Sequence, residues 1–300
     1  MTTRLTLVTL IVRHSLRVYI LCLITVLIVW LSAIFSGRIP FARNLDWSVL
    51  LGTVALYLLS HIVRMFRLIL LTLDQRRKCF PIALAHALTA FPSNLLPFKI
   101  GEILRLVAIN RVFDTREKAV AVWLVERLGD MLILSLFLLS LSWFGVKVPQ
   151  TVVSLGIVFV IASGLGIGGS FAILKVFNYL NSHLVLNSLS ARGLTLLRAG
   201  HTLHILEIAI RKSLEGRVIG FLLLSTLIWL LEIFALSIFI NEVAAFRTDF
   251  AAIFARGLLA SLFETASNAF GAYRSAALAS LAIVSLLLLS LAKLSKNTRM

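Results

Sequence analysis

Six residues with the chemistry of a binding site crowd into PSNLLPFKIGEILR, residues 92–105: Asn94, Pro97, Lys99, Gly101, Glu102 and Arg105. Pro97 removes a backbone donor and Gly101 permits close backbone approach, so carbonyls and amides are freed for a ligand. Glu102 and Arg105, three apart, share a helical face and can pair. The segment follows directly on an apolar run, and lipid accepts interrupted backbone and ionisable side chains only where protein or a water-filled cavity covers them. The competing reading is a helix ending at a membrane surface, its charges snorkelling and no ligand bound. Proline, amide, glycine and acid together favour a site.

A second group stands in AVWLVERLGDMLIL, residues 121–134. Arg127 and Asp130 are three apart and can neutralise each other, whereas Glu126 and Asp130 would repel at four apart. Glu126 therefore needs a cation from elsewhere, and Arg105 is the natural candidate. Such charges normally face a bundle interior, and the bland alternative is an ion pair that fixes helix packing. In the second half, Arg256, Glu264, Asn268 and Arg274 interrupt an apolar stretch, and Gly271 can break its helix. Glu232 stands alone in LIWLLEIFAL, a candidate for a proton relay or cation site, or else a paired packing residue. The six histidines show no zinc spacing, and His86 reads as a packing residue. No nucleophile elbow, P-loop or dinucleotide fingerprint is present, so neither a catalytic residue nor a cofactor or metal is expected.

The elements that position these groups are membrane helices. The chain is 60% apolar and 14% charged, with a mean hydropathy of +1.00. An ordinary soluble domain is nearer a quarter charged, so that class is excluded. Apolar segments cover about 18–36, 48–71, 119–144, 152–177, 218–240 and 275–292, and two shorter or interrupted ones cover 80–97 and 250–272. Arg4, Arg13 and Arg17 precede the first, which lacks a small-residue cleavage site and reads as a retained span. A crossing helix needs roughly 20 residues. If all eight segments crossed from an inside N-terminus, ten basic residues in 98–118 and 178–217 would lie outside, against the usual bias. If 80–110 and 250–272 dip in and return, nineteen basic residues lie inside and only Arg38, Arg43, Lys147 and Arg247 outside.

The expected fold is therefore all-α: one integral membrane domain with about six spans, two re-entrant segments and both termini cytoplasmic. Its halves, about 1–145 and 150–300, repeat the same order from opposite sides, the pattern of an inverted repeat with its site near the midplane. The linker 181–217 places Leu196, Leu203, Leu206 and Ile210 near helical spacing, with Arg198, His201, Glu207, Arg211 and Lys212 on other faces. It reads as a cytoplasmic amphipathic helix, either binding anionic headgroups or floating as a solvated connector. The net charge of +16 fits the positive-inside bias and contact with anionic lipid, and nucleic acid is not an expected partner. Cys22 and Cys79 form no disulfide or metal pattern.

The spacing of Asn94, Pro97, Gly101, Glu102 and Arg105, followed about twenty residues later by Glu126, Arg127 and Asp130, resembles the lysylphosphatidylglycerol synthase transmembrane family, also called flippase-like. Arg67 fits that pattern too. SLFETASNAFGAYRSAALASLAIVSLLLL resembles the family's second acid, here Glu264, followed by a small-residue helix; Ala-Ser-Leu-Phe stands where the family has a Pro/Gly-rich approach. The resemblance implies a multi-pass inner-membrane protein that handles lipids. In the best-known members this domain is similar to a translocator of aminoacylated phospholipid, fused to a soluble aminoacyl-transferase domain. No such domain precedes the C-terminal KNTRM, so lysyl transfer is not expected. Other relatives are associated with hopanoid, glycolipid or envelope-polysaccharide pathways. The expected function is translocation of a phospholipid or lipid-linked substrate. Arg105, Arg127 and Lys99 would hold an anionic headgroup, while Glu102, Glu126 and Asp130 balance those cations or bind a cationic portion. The alternatives are a membrane enzyme or accessory subunit of glycolipid, hopanoid or polysaccharide synthesis, with Glu102 or Glu126 as general base, and a non-catalytic assembly factor. Lipid- or glycan-synthesis enzymes are candidate partners.

Overall fold

The computed structural model of the chain describes residues 17–32, 36, 47–96, 100–143, 150, 153–166, 179, 191–239 and 268–297. Every described element is helical. In order they are α1 (Arg17–Ser32), α2 (Trp47–Leu71), a short 3₁₀ turn (Leu73–Lys78), α3 (Cys79–Leu95), α4 (Ile100–Val112), α5 (Arg116–Trp143), α6 (Val153–Gly166), α7 (Ala191–Leu214), α8 (Val218–Ile238) and α9 (Asn268–Asn297). α2 and α8 are long and apolar enough to cross a membrane, and α1, α6 and residues Ser275–Ser290 of α9 form shorter apolar helices. Gly271 lies inside α9 and does not end it, because tertiary packing of a long apolar helix outweighs the roughly 1 kcal/mol a helical glycine costs.

The flanks of the bundle are apolar, and its interior carries polar side chains among apolar ones. On α4, Gly101, Arg105 and Ile109 are buried at helical spacing, while Ile103 is 62% exposed and Leu104 and Val107 are exposed too. On α8, Ile219, Leu223, Leu227, Leu230 and Phe234 face outward, and the inward stripe Phe221, Ser225, Ile228 and Ala235 includes a hydroxyl. Water would reject such an exterior, whereas a hydrocarbon layer solvates it.

α2 is the hub. It packs most extensively on α8, and also on α3 and α9. Towards one end, Leu68 and Leu71 join Ile82, Ile109, Val122, Ile210, Leu214 and Phe221 in an apolar cluster. Towards the other, Tyr57 joins Leu23, Ala90, Phe91, Leu281 and Ala282. The polar groups of α2 lie between these two clusters.

α3 and α4 form a tight antiparallel hairpin. A Cβ on Gly101 would stand 2.3 Å from the Ser93 Cα and 2.6 Å from the Pro92 carbonyl oxygen, so only glycine permits this seam. The Ser93 hydroxyl donates to the Gly101 carbonyl at 3.1 Å. Pro92 sits inside α3 and leaves the Leu88 carbonyl without its helical donor. The Tyr19 hydroxyl, from α1, supplies one at 2.8 Å. At the hairpin's foot, Lys78 Nζ meets Asp114 Oδ1 at 2.9 Å, so the chain enters and leaves at the same end of the bundle.

α7 is docked rather than floating. Leu206 and Ile210 pack into the apolar cluster with Leu214, but Leu203 is exposed. Glu207, expected on a polar face, is buried, because the docked face is rotated toward positions 206, 207, 210 and 214. Arg198, His201, Arg211 and Lys212 remain exposed.

Candidate functional site

Midway along the bundle, four helices bring eight charged side chains together. α2 contributes Arg64 and Arg67, α4 Glu102 and Arg105, α5 Glu126, Arg127 and Asp130, and α8 Glu232. Arg67 is fully buried and is the centre of the network. Its Nη1 donates to Asp130 Oδ1 at 2.5 Å and to the Ser225 hydroxyl at 2.9 Å. Its Nη2 donates to Glu126 Oε1 at 2.8 Å and Asp130 Oδ2 at 3.1 Å. The fork onto Asp130 is the bidentate geometry that a planar guanidinium makes and an ammonium cannot.

Arg105 reaches the same Glu126 Oε1 at 2.6 Å. Arg127 faces Glu102 Oε2 at 2.7 Å and Asp130 Oδ2 at 3.8 Å. Arg64 donates to Glu232 Oε1 at 2.6 Å and lies 3.9 Å from Asp130 Oδ2. The Ser60 hydroxyl donates to Glu232 as well, at 3.1 Å.

The neighbours of Glu102 and Arg105 differ from the expected pair. Three residues apart, they do not neutralise each other; both reach across to α5, Glu102 to Arg127 and Arg105 to Glu126. The helix puts Arg105 on the buried face with Gly101, while Glu102 sits at its edge, only half-buried. Glu232 is not alone, since α8 runs antiparallel to α2 and sets it against Ser60 and Arg64. Arg64, Ser60 and Ser225 are members that the sequence reading did not single out. Their signal was present: Ser60, Arg64 and Arg67 fall at i, i+4 and i+7 in an apolar run, and Ser225 and Glu232 are seven apart on α8.

The network balances, four guanidinium groups against four carboxylates, with every member in at least one ion pair. Moving an ion into a low-dielectric interior costs several kcal/mol even after relaxation, so matched charge is the condition for burying so many. Phe221 floors the site. The Arg67 guanidinium lies 5.7 Å from its ring centroid, and the ring presses on Gly129, where a Cβ would stand 2.2 Å from Phe221 Cζ. Asn94, at the end of α3, donates from Nδ2 to the Ala90 carbonyl at 3.1 Å and to the Tyr57 hydroxyl at 3.4 Å. It lies on the α2–α3 side rather than in the network. Pro97, Lys99 and Glu264 lie outside the described residues.

The model of the lysylphosphatidylglycerol synthase TM region matches residues 15–262. The chain belongs to this family. The match spans α1 to α8, so all eight charged members of the network lie within the lysylphosphatidylglycerol synthase TM region. Family and apolar helices together make it a membrane protein associated with lipid-related processes. No curated protein and no solved structure matches the chain.

Proposed function

We propose that this protein translocates a phospholipid or other lipid-linked substrate across the bacterial inner membrane, with both termini cytoplasmic. The observation that carries the reading is the balanced charge network buried beside the α3–α4 hairpin. Ionisable groups held at this depth are expensive, and a structural role alone is met more economically by apolar packing. Because each arginine already has a carboxylate, an anionic headgroup would bind by exchange. It would displace Glu126 from Arg105 or Glu102 from Arg127, with Lys99, Pro97 and Glu264 completing the site. Exchange of partners between helices is a natural step in alternating access. The closed foot of the hairpin supports a segment that enters and returns on one side, as an inverted repeat of two halves with six spans requires.

The test is movement of a labelled phospholipid in liposomes containing the purified protein. The wild type should raise the rate above protein-free vesicles, and Glu126→Gln or Arg105→Ala should return it to that background. No movement by the wild type under any gradient would sink the proposal. Cysteines at 114 and 187 should be labelled only from the cytoplasmic side, and external labelling at either would refute the topology.

A further inference from the structure

A second polar feature lies on the α3 side of α2, outside the ion pairs. His61 on α2 and His86 on α3 bring their rings to a centroid separation of 5.7 Å, tilted by 33°. They are 7% and 1% exposed. None of the four ring nitrogens has a hydrogen-bond partner among the described residues. Their surroundings are built: Tyr57 stands edge-on to His61 at 4.9 Å, and Asn94 fixes the Tyr57 hydroxyl. Within the network, Arg105 Nε and Glu126 Oε2 are also buried without a hydrogen-bond partner among the described residues, as are the Nε atoms of Arg64, Arg67 and Arg127.

Buried polar atoms are almost always paired, so this concentration of unpaired ones asks for an occupant. Its chemistry can be read from what they offer. A neutral imidazole has one donor and one acceptor; Arg105 Nε adds a donor and Glu126 Oε2 an acceptor. A phosphodiester only accepts and an ammonium only donates, so neither satisfies the set. A hydroxyl does both. The neighbouring network is already balanced, which leaves neutral recognition to the histidines.

We propose that His61 and His86 form a receptor for the hydroxyl groups of a lipid headgroup, the glycerol or sugar portion. The proposal rests on the translocator reading and assigns part of its substrate. Water carries the same hydroxyl chemistry and is the occupant to be distinguished.

Three lipids of identical acyl chains separate the cases: phosphatidylethanol, phosphatidylglycerol and glucosyl diacylglycerol, each titrated onto the full chain in detergent and read by native mass spectrometry. The wild type should bind both hydroxylated lipids about tenfold more tightly than phosphatidylethanol, the ratio one or two net hydrogen bonds supply. His61→Phe and His86→Leu should cut that preference to within about twofold, and His86→Gln, which keeps a donor and an acceptor, should retain part of it. Equal wild-type affinity for all three, or a preference unchanged in the variants, would overturn the proposal and leave the pair as a water site. The wild-type comparison stands even if a variant does not fold. Preference without lipid movement in liposomes would remove the translocator reading and spare the receptor; movement without preference would do the reverse.

Discussion

Two sets of ion pairs hold this bundle, and they obey different rules. The set at mid-bundle uses arginine for every cation, and its charges cancel. The basal set, at the end where the 3₁₀ turn meets α7, uses Lys78 against Asp114, Lys118 against Asp74 and Ser213, and Arg217 against Asp74 and the Leu70 carbonyl. There the charges do not cancel, because Arg76, Arg77, Arg111, Arg116, Arg211 and Lys212 stand exposed beside them. Asp114 is 79% exposed, whereas Glu126 and Arg67 are fully buried. Two unit charges 4 Å apart attract by about 1 kcal/mol in water and about 4 kcal/mol at an effective dielectric of 20. The lesson is that water lets a protein carry surplus charge, while a buried network matches cations to carboxylates one for one, with a fork at its fully buried centre.

The sharpest way to break this contrast is to unbalance the interior. Arg67→Leu leaves Glu126 and Asp130 without their central cation and should destabilise the fold by about 3–5 kcal/mol, read by thermal unfolding in detergent. Removing both acids as well, in Arg67→Leu with Glu126→Leu and Asp130→Leu, should recover much of the loss while abolishing lipid movement. A loss below ~1 kcal/mol in the single variant would show that water reaches the network. Gly101→Ala should come next, at roughly 1–3 kcal/mol, because the new methyl meets the Ser93 backbone. Tyr19→Phe removes only the donor to Leu88 and should lower stability by about 1 kcal/mol. The basal set should matter least where water reaches it: a double-mutant cycle on Lys78 and Asp114 should give a coupling of ~1 kcal/mol or less, fading in high salt. A salt-insensitive coupling of several kcal/mol would erase the distinction between the two sets.

The sequence carried the helical class and the boundaries of the two clear apolar spans, because hydropathy is a property of each segment by itself. Residues 48–71 and 218–240 correspond to α2 and α8 within two residues at each end. The partner of Glu126 was legible too, since a buried acid beside another acid needs a cation from elsewhere, and Arg105, the candidate, meets it at 2.6 Å. The Glu102–Arg105 pair was not, because spacing along one helix says only that two groups can meet, while the facing helix decides whether they do. Glu232 looked solitary for the same reason: its partner lies 168 residues earlier, on α2. The docking of α7 was missed because the stripe of leucines overlaps two adjacent faces, and only the neighbouring α5 selects between them.

The seam at Gly101 and Ser93 has a mechanical consequence. Two helices in backbone contact have no slack to slide or scissor, and the Ser93 hydroxyl ties them at the tip end while Lys78 and Asp114 close the base. The hairpin is thus a stiff paddle, and a force on one arm is felt by both. At the root Gln75 departs from helical geometry at φ −127° and ψ 64°, so the helical path breaks there before α3 begins. A swing about that root would carry Arg105 and Glu102 together past α5, changing both of their partners in a single stroke.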